Sequence, residues 1–276
     1  MRALIGALCA LTLTQACGKR HDNGEAPAPI PDQAKPFYDE ACASYVPSKT
    51  PRCDRSTFVA AMTVLCGKDY GLAAYEKEPG VWHRDVEPCY PAESSSECSR
   101  DAYLWVIFGA YKRGDLGAIQ RIYDHATEHD WVMCEGDPAV TSIRPLASMI
   151  RKSLTETYSA SAPRFLEKVD TWPDDLDVIT NALSGFRGHL VAGYLWFRAS
   201  VLGGLTTPLP LKLLADETPD SPWFSALYHR YNEQAPDQSE TLELLRKTSR
   251  VDDTFGWGSS PWEFHLAATY QVLAGF

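Results

Sequence analysis

Asp101 to Arg113 reads DAYLWVIFGAYKR, and this stretch decides the fold. It is apolar on all sides at helical length, which marks a helix buried between other helices rather than one lying on a surface. Gly114-Asp115 breaks it. Leu116 to His129 follows with Ile119, Ile122, Tyr123 and Ala126 on one stripe, the pattern of an amphipathic outer helix. An inner helix followed by an outer one is a helical hairpin, and the rest of the chain repeats the idea.

Leu190 to Leu202 (LVAGYLWFRASVL) is again apolar almost all round and ends at Gly203-Gly204. Ser56 to Cys66 is a short apolar helix candidate, with Asp54 or Ser56 as its cap. A further candidate begins at Ser161, with Pro163 near its start, and Ser239 to Thr248 forms another around Leu242, Leu244 and Leu245. Ser221-Pro222-Trp223 aligns with Ser260-Pro261-Trp262 at an offset of 39 residues, and Leu and Tyr stay in register beyond it. Serine as cap followed by proline is a sound helix start, and Glu263 completes a capping box with Ser260. Hairpins recurring at roughly 35 to 45 residues predict a mainly α domain of stacked helical hairpins. An open superhelix and a closed α/α toroid both fit. The wholly apolar inner helices and the many aromatics favour a toroid-like closure. Strand signals are few, so any sheet should be small.

Six cysteines follow residue 17: Cys42, Cys53, Cys66, Cys89, Cys98 and Cys134. An even number in an exported chain reads as disulfides, and fifteen pairings are possible. Short loops favour Cys42–Cys53 and Cys89–Cys98, which leaves Cys66 for Cys134. No Cys-x-x-Cys or Cys-His spacing supports a metal site. All six lie before residue 135, so the irregular, stapled structure is expected in the first half.

Export itself is read from the first residues. Arg2 opens the chain, Ala3–Leu13 is too short an apolar run to span a bilayer, and Thr14-Gln15-Ala16-Cys17 follows. Leu13 to Cys17 resembles the lipobox of bacterial lipoproteins, with Thr14 and Gln15 departing from its commonest form. The resemblance implies cleavage before Cys17, a diacylglycerol on its sulfur and an acylated new amino terminus. Gly18 rather than Asp after the cysteine implies the outer membrane where the cell has two. The alternative is an ordinary secretory signal and a free secreted or periplasmic protein. Residues 18 to 35 are proline-rich and polar, and such a run stays extended as a tether. The expected organisation is a signal over 1–16, a lipidated tether over 17–35 and one helical domain over 36–276.

The formal charge of −10 becomes −11 once the signal, with its single Arg2, is removed. So acidic a surface argues against nucleic acid as a partner. No Gly-rich phosphate loop, Gly-x-Ser-x-Gly elbow or His-Glu-x-x-His motif occurs, and no cofactor is expected. The expected partners are the membrane, through the lipid on Cys17, and an envelope polysaccharide or another envelope protein.

Four clusters carry chemistry. Trp82-His83-Arg84-Asp85 puts an aromatic face, a titratable ring and opposite charges on one loop held by cysteines. Ser99-Arg100-Asp101 opens the buried helix. Trp131 to Asp137 (WVMCEGD) closes the hairpin with Glu135 beside Cys134. His189, His229 and His265 fall on or near later helices. Glycoside hydrolysis needs one protonated and one ionised carboxyl group several ångströms apart. Asp101 and Glu135 are the candidate pair, with Trp82, Trp105 and Trp131 as sugar platforms and Arg84 as a binding residue. A lyase would instead use His83 or His189 with a tyrosine. Simpler roles compete with each. Asp101 suits a helix N-terminus, Glu135 a solvated turn, and His229 and His265 packing. Arg84 can pair with Asp85, and tryptophans are core by default.

The body from Cys53 onward also resembles a group of bacterial and phage-encoded helical proteins of unassigned activity. The resemblance rests on Cys53-Asp54, Trp82 to Arg84, Ser99 to Asp101, Trp131 to Gly136 and Ala226 to His229. It implies a single domain and no particular reaction.

Overall fold

The buried helix forms where its residues require it, and its ends are set by local chemistry. In the computed structural model α3 spans Arg100–Arg113, and every residue from Asp101 to Ala110 is buried. Ser99 caps it, its hydroxyl accepting from the Asp101 amide at 3.3 Å. Gly114, at φ +68°, ends it in the left-handed conformation that glycine takes without strain. The structure describes residues 32–89, 97–136, 141–157, 186–197, 199–200, 209–232, 238–248 and 261–275.

The fold is mainly α. Among the described residues there are ten helices and one two-stranded antiparallel sheet. Before α3 come α1 (Lys35–Ser44) and α2 (Arg55–Cys66), then the strands β1 (Glu76–Glu78) and β2 (Val81–Trp82). After it come α4 (Leu116–Glu128), α5 (Ala147–Thr157), α6 (Phe186–Phe197) and α7 (Leu209–Glu217). The chain closes with α8 (Pro222–Tyr231), α9 (Ser239–Lys247) and α10 (Trp262–Leu273). The predicted inner and outer helices are both present. Helix α4 buries Ile119, Ile122 and Ala126, and the Asp115 carboxylate caps it through the Ala118 amide at 3.1 Å.

Inner helices meet through aromatic rings. Trp105 of α3 lies 5.5 Å from Phe264 of α10, 6.1 Å from Trp196 of α6 and 6.3 Å from Trp223 of α8. Each such pair adds about 0.5–1.5 kcal/mol beyond the burial of its area. The last helix packs on the first two. Tyr270 stacks on Tyr38 with centroids 4.4 Å apart, and Gln271 donates to the Leu65 carbonyl.

The disulfide pairing corrects the expectation from loop length. The bonds are Cys42–Cys66, Cys53–Cys89 and Cys98–Cys134, with Cα atoms 5.6, 5.4 and 5.8 Å apart. Helix α2 is the reason. Cys53 precedes its first turn and Cys66 ends it, so the helix holds the two roughly 18 Å apart. Cys42 of α1 sits beside the Cys66 end and is out of reach of Cys53. With Cys66 occupied, Cys134 takes Cys98 at the start of α3. Closing loops of 24, 36 and 36 residues stabilises the fold by about 3.5–4 kcal/mol each on the chain-entropy account.

Residues 1–31, with Cys17 and most of the tether, lie outside the described residues, as do the helix candidate at Ser161, the cap Ser260 and Asp137. The same holds for the side chain of His189.

Candidate functional site

Three of the four sequence clusters converge on one disulfide. Cys98–Cys134 ties the start of α3 to the turn after α4, and a ring nitrogen of His83 lies within 4.8 Å of both sulfurs. The His83 amide donates to the Tyr75 carbonyl at 2.9 Å, and the Arg84 amide to Glu97 at 2.6 Å. Arg84 and Asp85 do not pair with each other. Arg84 reaches Asp54 at 3.8 Å, while the buried Asp85 takes Arg55 at 3.3 Å and the Cys53 and Val86 amides. The loop is thereby clamped to the start of α2 by two crossed ion pairs. His83, Cys98 and Cys134 would be a metal-ligating set only as thiolates, because sulfurs joined to each other have no lone charge to offer a cation.

Asp101 is buried beneath this loop, and its Oδ2 has no hydrogen-bond partner. Burial raises its carboxyl to about 6, against the opposing attraction of the Arg84 guanidinium. Burial also lowers His83. Glu135 is exposed in the turn. Trp105 is 1 % exposed in the aromatic core and offers no face to a ligand. Trp131 is packed against Tyr123, with the Arg151 guanidinium 5.3 Å from its ring centre. His265 is buried and held neutral, pushed down to about 3.

A cleft of about 670 Å³ opens elsewhere, between the ends of α2 and α3, the start of α4 and the hairpin. Of the sequence candidates, Trp82 lines it, whereas Asp101, Glu135 and His83 do not. Two buried polar atoms in the lining residues have no partner: Nε1 of Trp82 and Oγ1 of Thr63. An indole N–H and a hydroxyl left dry cost about 1–3 kcal/mol each. The floor between them is apolar, from Val106, Ala110 and Leu72.

The rim is charged. Arg121 and Glu76 form a two-pronged pair at 2.8 and 2.9 Å. Asp69 and Asp115 spend their carboxylates on the Gly71 and Ala118 amides. Lys68, Lys112 and Arg113 complete the rim, and burial holds Lys112 below the usual lysine value. Thr63, Lys112 and Arg113 were not among the sequence candidates. The Gly114-Asp115 break was the available signal, since a helix end next to a helix start leaves a mouth.

A smaller hollow of about 280 Å³ lies by Ser225, His229 and Glu240. There His229 pairs with Glu240 at 3.5 Å and Ser225 shares a hydrogen bond with Thr241 at 2.7 Å. His229 is largely shielded from solvent, with its Nε2 beside the exposed Glu240.

No family model, no curated protein and no solved structure matches this chain. Among the described residues, no helix is long and apolar enough to cross a membrane.

Proposed function

We propose that this chain is a lipid-anchored envelope protein, held through Cys17, that binds a glycan in the cleft walled by Trp82 and Thr63. The observation that carries the reading is a cleft of mixed polar and apolar lining in which two residues, Trp82 and Thr63, hold buried side-chain atoms without partners. A saccharide offers what that wall lacks, namely hydroxyls that both donate and accept beside C–H faces that cover apolar floor. The cleft's volume is within the range of small-ligand sites, about 300–1,000 Å³. The signal-like first residues and the proline-rich run after Cys17 support display on a tether at the envelope.

We further propose a toroid-like closure of the hairpins. Its support is the packing of α10 back onto α1 and α2, a contact that a ring requires and an open superhelix does not.

A hydrolytic reading has one observation in its favour. Asp101 is held near 6, in the range of a general acid at neutral pH. It lies away from the cleft lining, so binding is the stronger reading.

The test is a panel of envelope polysaccharides offered to the full-length chain extracted in detergent. Trp82→Phe keeps an aromatic ring, smaller than the indole, and removes the N–H, while Thr63→Val removes the hydroxyl. Each is expected to weaken binding by about fivefold, the worth of one hydrogen bond. Binding that is unchanged in both variants refutes the site. Cys17→Ser is expected to release the protein from the membrane fraction, and retention there refutes the anchor.

A further inference from the structure

We infer that the ligand of this cleft is a carboxylated saccharide, its carboxylate seated on Arg113 while its hydroxyls meet Trp82 and Thr63. The inference rests on the glycan-binding reading and narrows it to an acidic class.

The charges on the rim are four cations and three anions. Glu76 and Arg121 neutralise each other, and Asp69 and Asp115 are fixed on backbone amides. Beside the Glu76–Arg121 pair, Lys68, Lys112 and Arg113 face Asp69 and Asp115, which keep their charge, so the mouth is net cationic by a single charge in a chain whose formal charge is −10. Screening confines the wider acidic surface to a reach of about 8 Å at physiological ionic strength. Inside the cleft the near cations therefore outweigh it.

Arg113 has a competing explanation, since basic residues in a last turn favour the helix dipole. Like other long helical side chains it leans back over the preceding turn, and what is particular here is that a glycine lies beneath it. Its Nη1 lies 3.1 Å from where a side-chain carbon at Gly109 would sit. Gly109, Val64 and Arg113 all line the cleft, so the missing side chain at 109 is what lets the guanidinium lie along its wall. A planar guanidinium matches a planar carboxylate with two parallel hydrogen bonds, and one positive charge meets one negative charge. Lys112 and Lys68 flank it and raise the local potential.

The experiment compares three probes of similar size on the full-length chain in detergent, by titration calorimetry. They are a hexuronate oligosaccharide, the same oligosaccharide with its carboxyl groups reduced to alcohols, and a phosphorylated neutral oligosaccharide. The uronate is expected to bind about ten- to hundredfold more tightly than its reduced form. Arg113→Gln should abolish that preference and leave the affinity for the reduced form intact, while Arg113→Lys should retain part of it. Arg113 is exposed, so both variants keep the fold, which far-ultraviolet circular dichroism checks. Equal affinity for uronate and reduced form overturns the acidic inference while the glycan reading stands. So does a preference that survives Arg113→Gln, or tighter binding of the phosphorylated probe. Failure of all three probes, together with the polysaccharide panel, overturns the glycan reading itself.

Discussion

The hydroxyl of Tyr103 accepts the backbone N–H of Trp82 at 3.0 Å, and their rings meet edge to face with centroids 6.4 Å apart. This contact reaches from the buried helix α3 to strand β2 and sets the indole in the cleft wall. The same hydroxyl donates to the Gly80 carbonyl, so it secures both ends of β2. Burial raises its pKa far beyond the working range, and it remains a protonated donor at every pH at which the protein folds.

Tyr103→Phe should therefore leave two buried backbone groups unsatisfied and cost about 1–3 kcal/mol of stability. It should also weaken ligand binding, although Tyr103 does not line the cleft, because the indole loses its anchor. Urea unfolding followed by tryptophan fluorescence checks the first effect and calorimetry the second. A stability loss with unchanged affinity would mean that Trp82 is positioned by its other contacts.

Two buried titratable groups should pull stability in opposite directions between pH 4 and 6. Asp101 is raised from 3.8 to about 6, so the native state holds a proton that the unfolded state has released, and stability falls as pH rises through that window. His265 is lowered from 6.5 to about 3, so the unfolded state takes the proton first, and stability is lost as pH falls below about 6.5. The shift at Asp101 corresponds to about 3 kcal/mol at neutral pH. Asp101→Asn should gain on the parent progressively from pH 4 to 6 and hold that gain above it. His265→Phe should gain in the opposite sense, as the pH is lowered. Denaturant midpoints measured across pH 4 to 8 read both difference curves, and two flat curves would show that neither group stays buried.

A non-reducing digest read by mass spectrometry should yield peptides linked as Cys42–Cys66, Cys53–Cys89 and Cys98–Cys134. Replacing Cys98 and Cys134 together by serine should cost about 3–4 kcal/mol on the chain-entropy account. It should also release the turn after α4 from the start of α3. A digest with Cys42 joined to Cys53 would require α2 to unwind.

What could be read from the chain follows the range of the forces involved. Helix α3 was legible at both ends, because Ser99 and Gly114 act on their own neighbours and the apolar run lies between them. The amphipathic stripe of α4 was legible for the same reason. The cysteine pairing was not, because it depends on which end of α2 faces α1, a tertiary fact that loop length ignores. The approach of three loaded turns was half legible, but it is the Cys98–Cys134 bond that brings two of them together beside the His83 ring. The cleft was least legible. Helical periodicity puts Thr63 on a half-buried face, yet nothing local says that its hydroxyl and the Trp82 N–H are left without partners. Helix α1 was missed because its apolar positions are few, and packing against α10 rather than its own pattern holds it.

Gly109 offers the sharpest test of how the cleft is built. A side-chain carbon there would lie 2.5 Å from Cγ2 of Val64, well inside contact distance, and 3.1 Å from the Arg113 guanidinium. In an exposed helix interior, glycine to alanine gains about 1 kcal/mol from propensity. Here the overlap opposes that gain, and forcing a methyl into a packed helix contact costs about 1–3 kcal/mol. Gly109→Ala should therefore be neutral to destabilising rather than stabilising, and it should weaken binding by pushing Arg113 off the wall. Val64→Ala removes the methyl that the new side chain meets. The double variant should recover the propensity gain while Arg113 stays displaced, so stability returns and the preference for an acidic ligand does not. A double-mutant cycle over Gly109 and Val64 measures the coupling, and additivity within about 0.5 kcal/mol would show that α2 and α3 do not touch there.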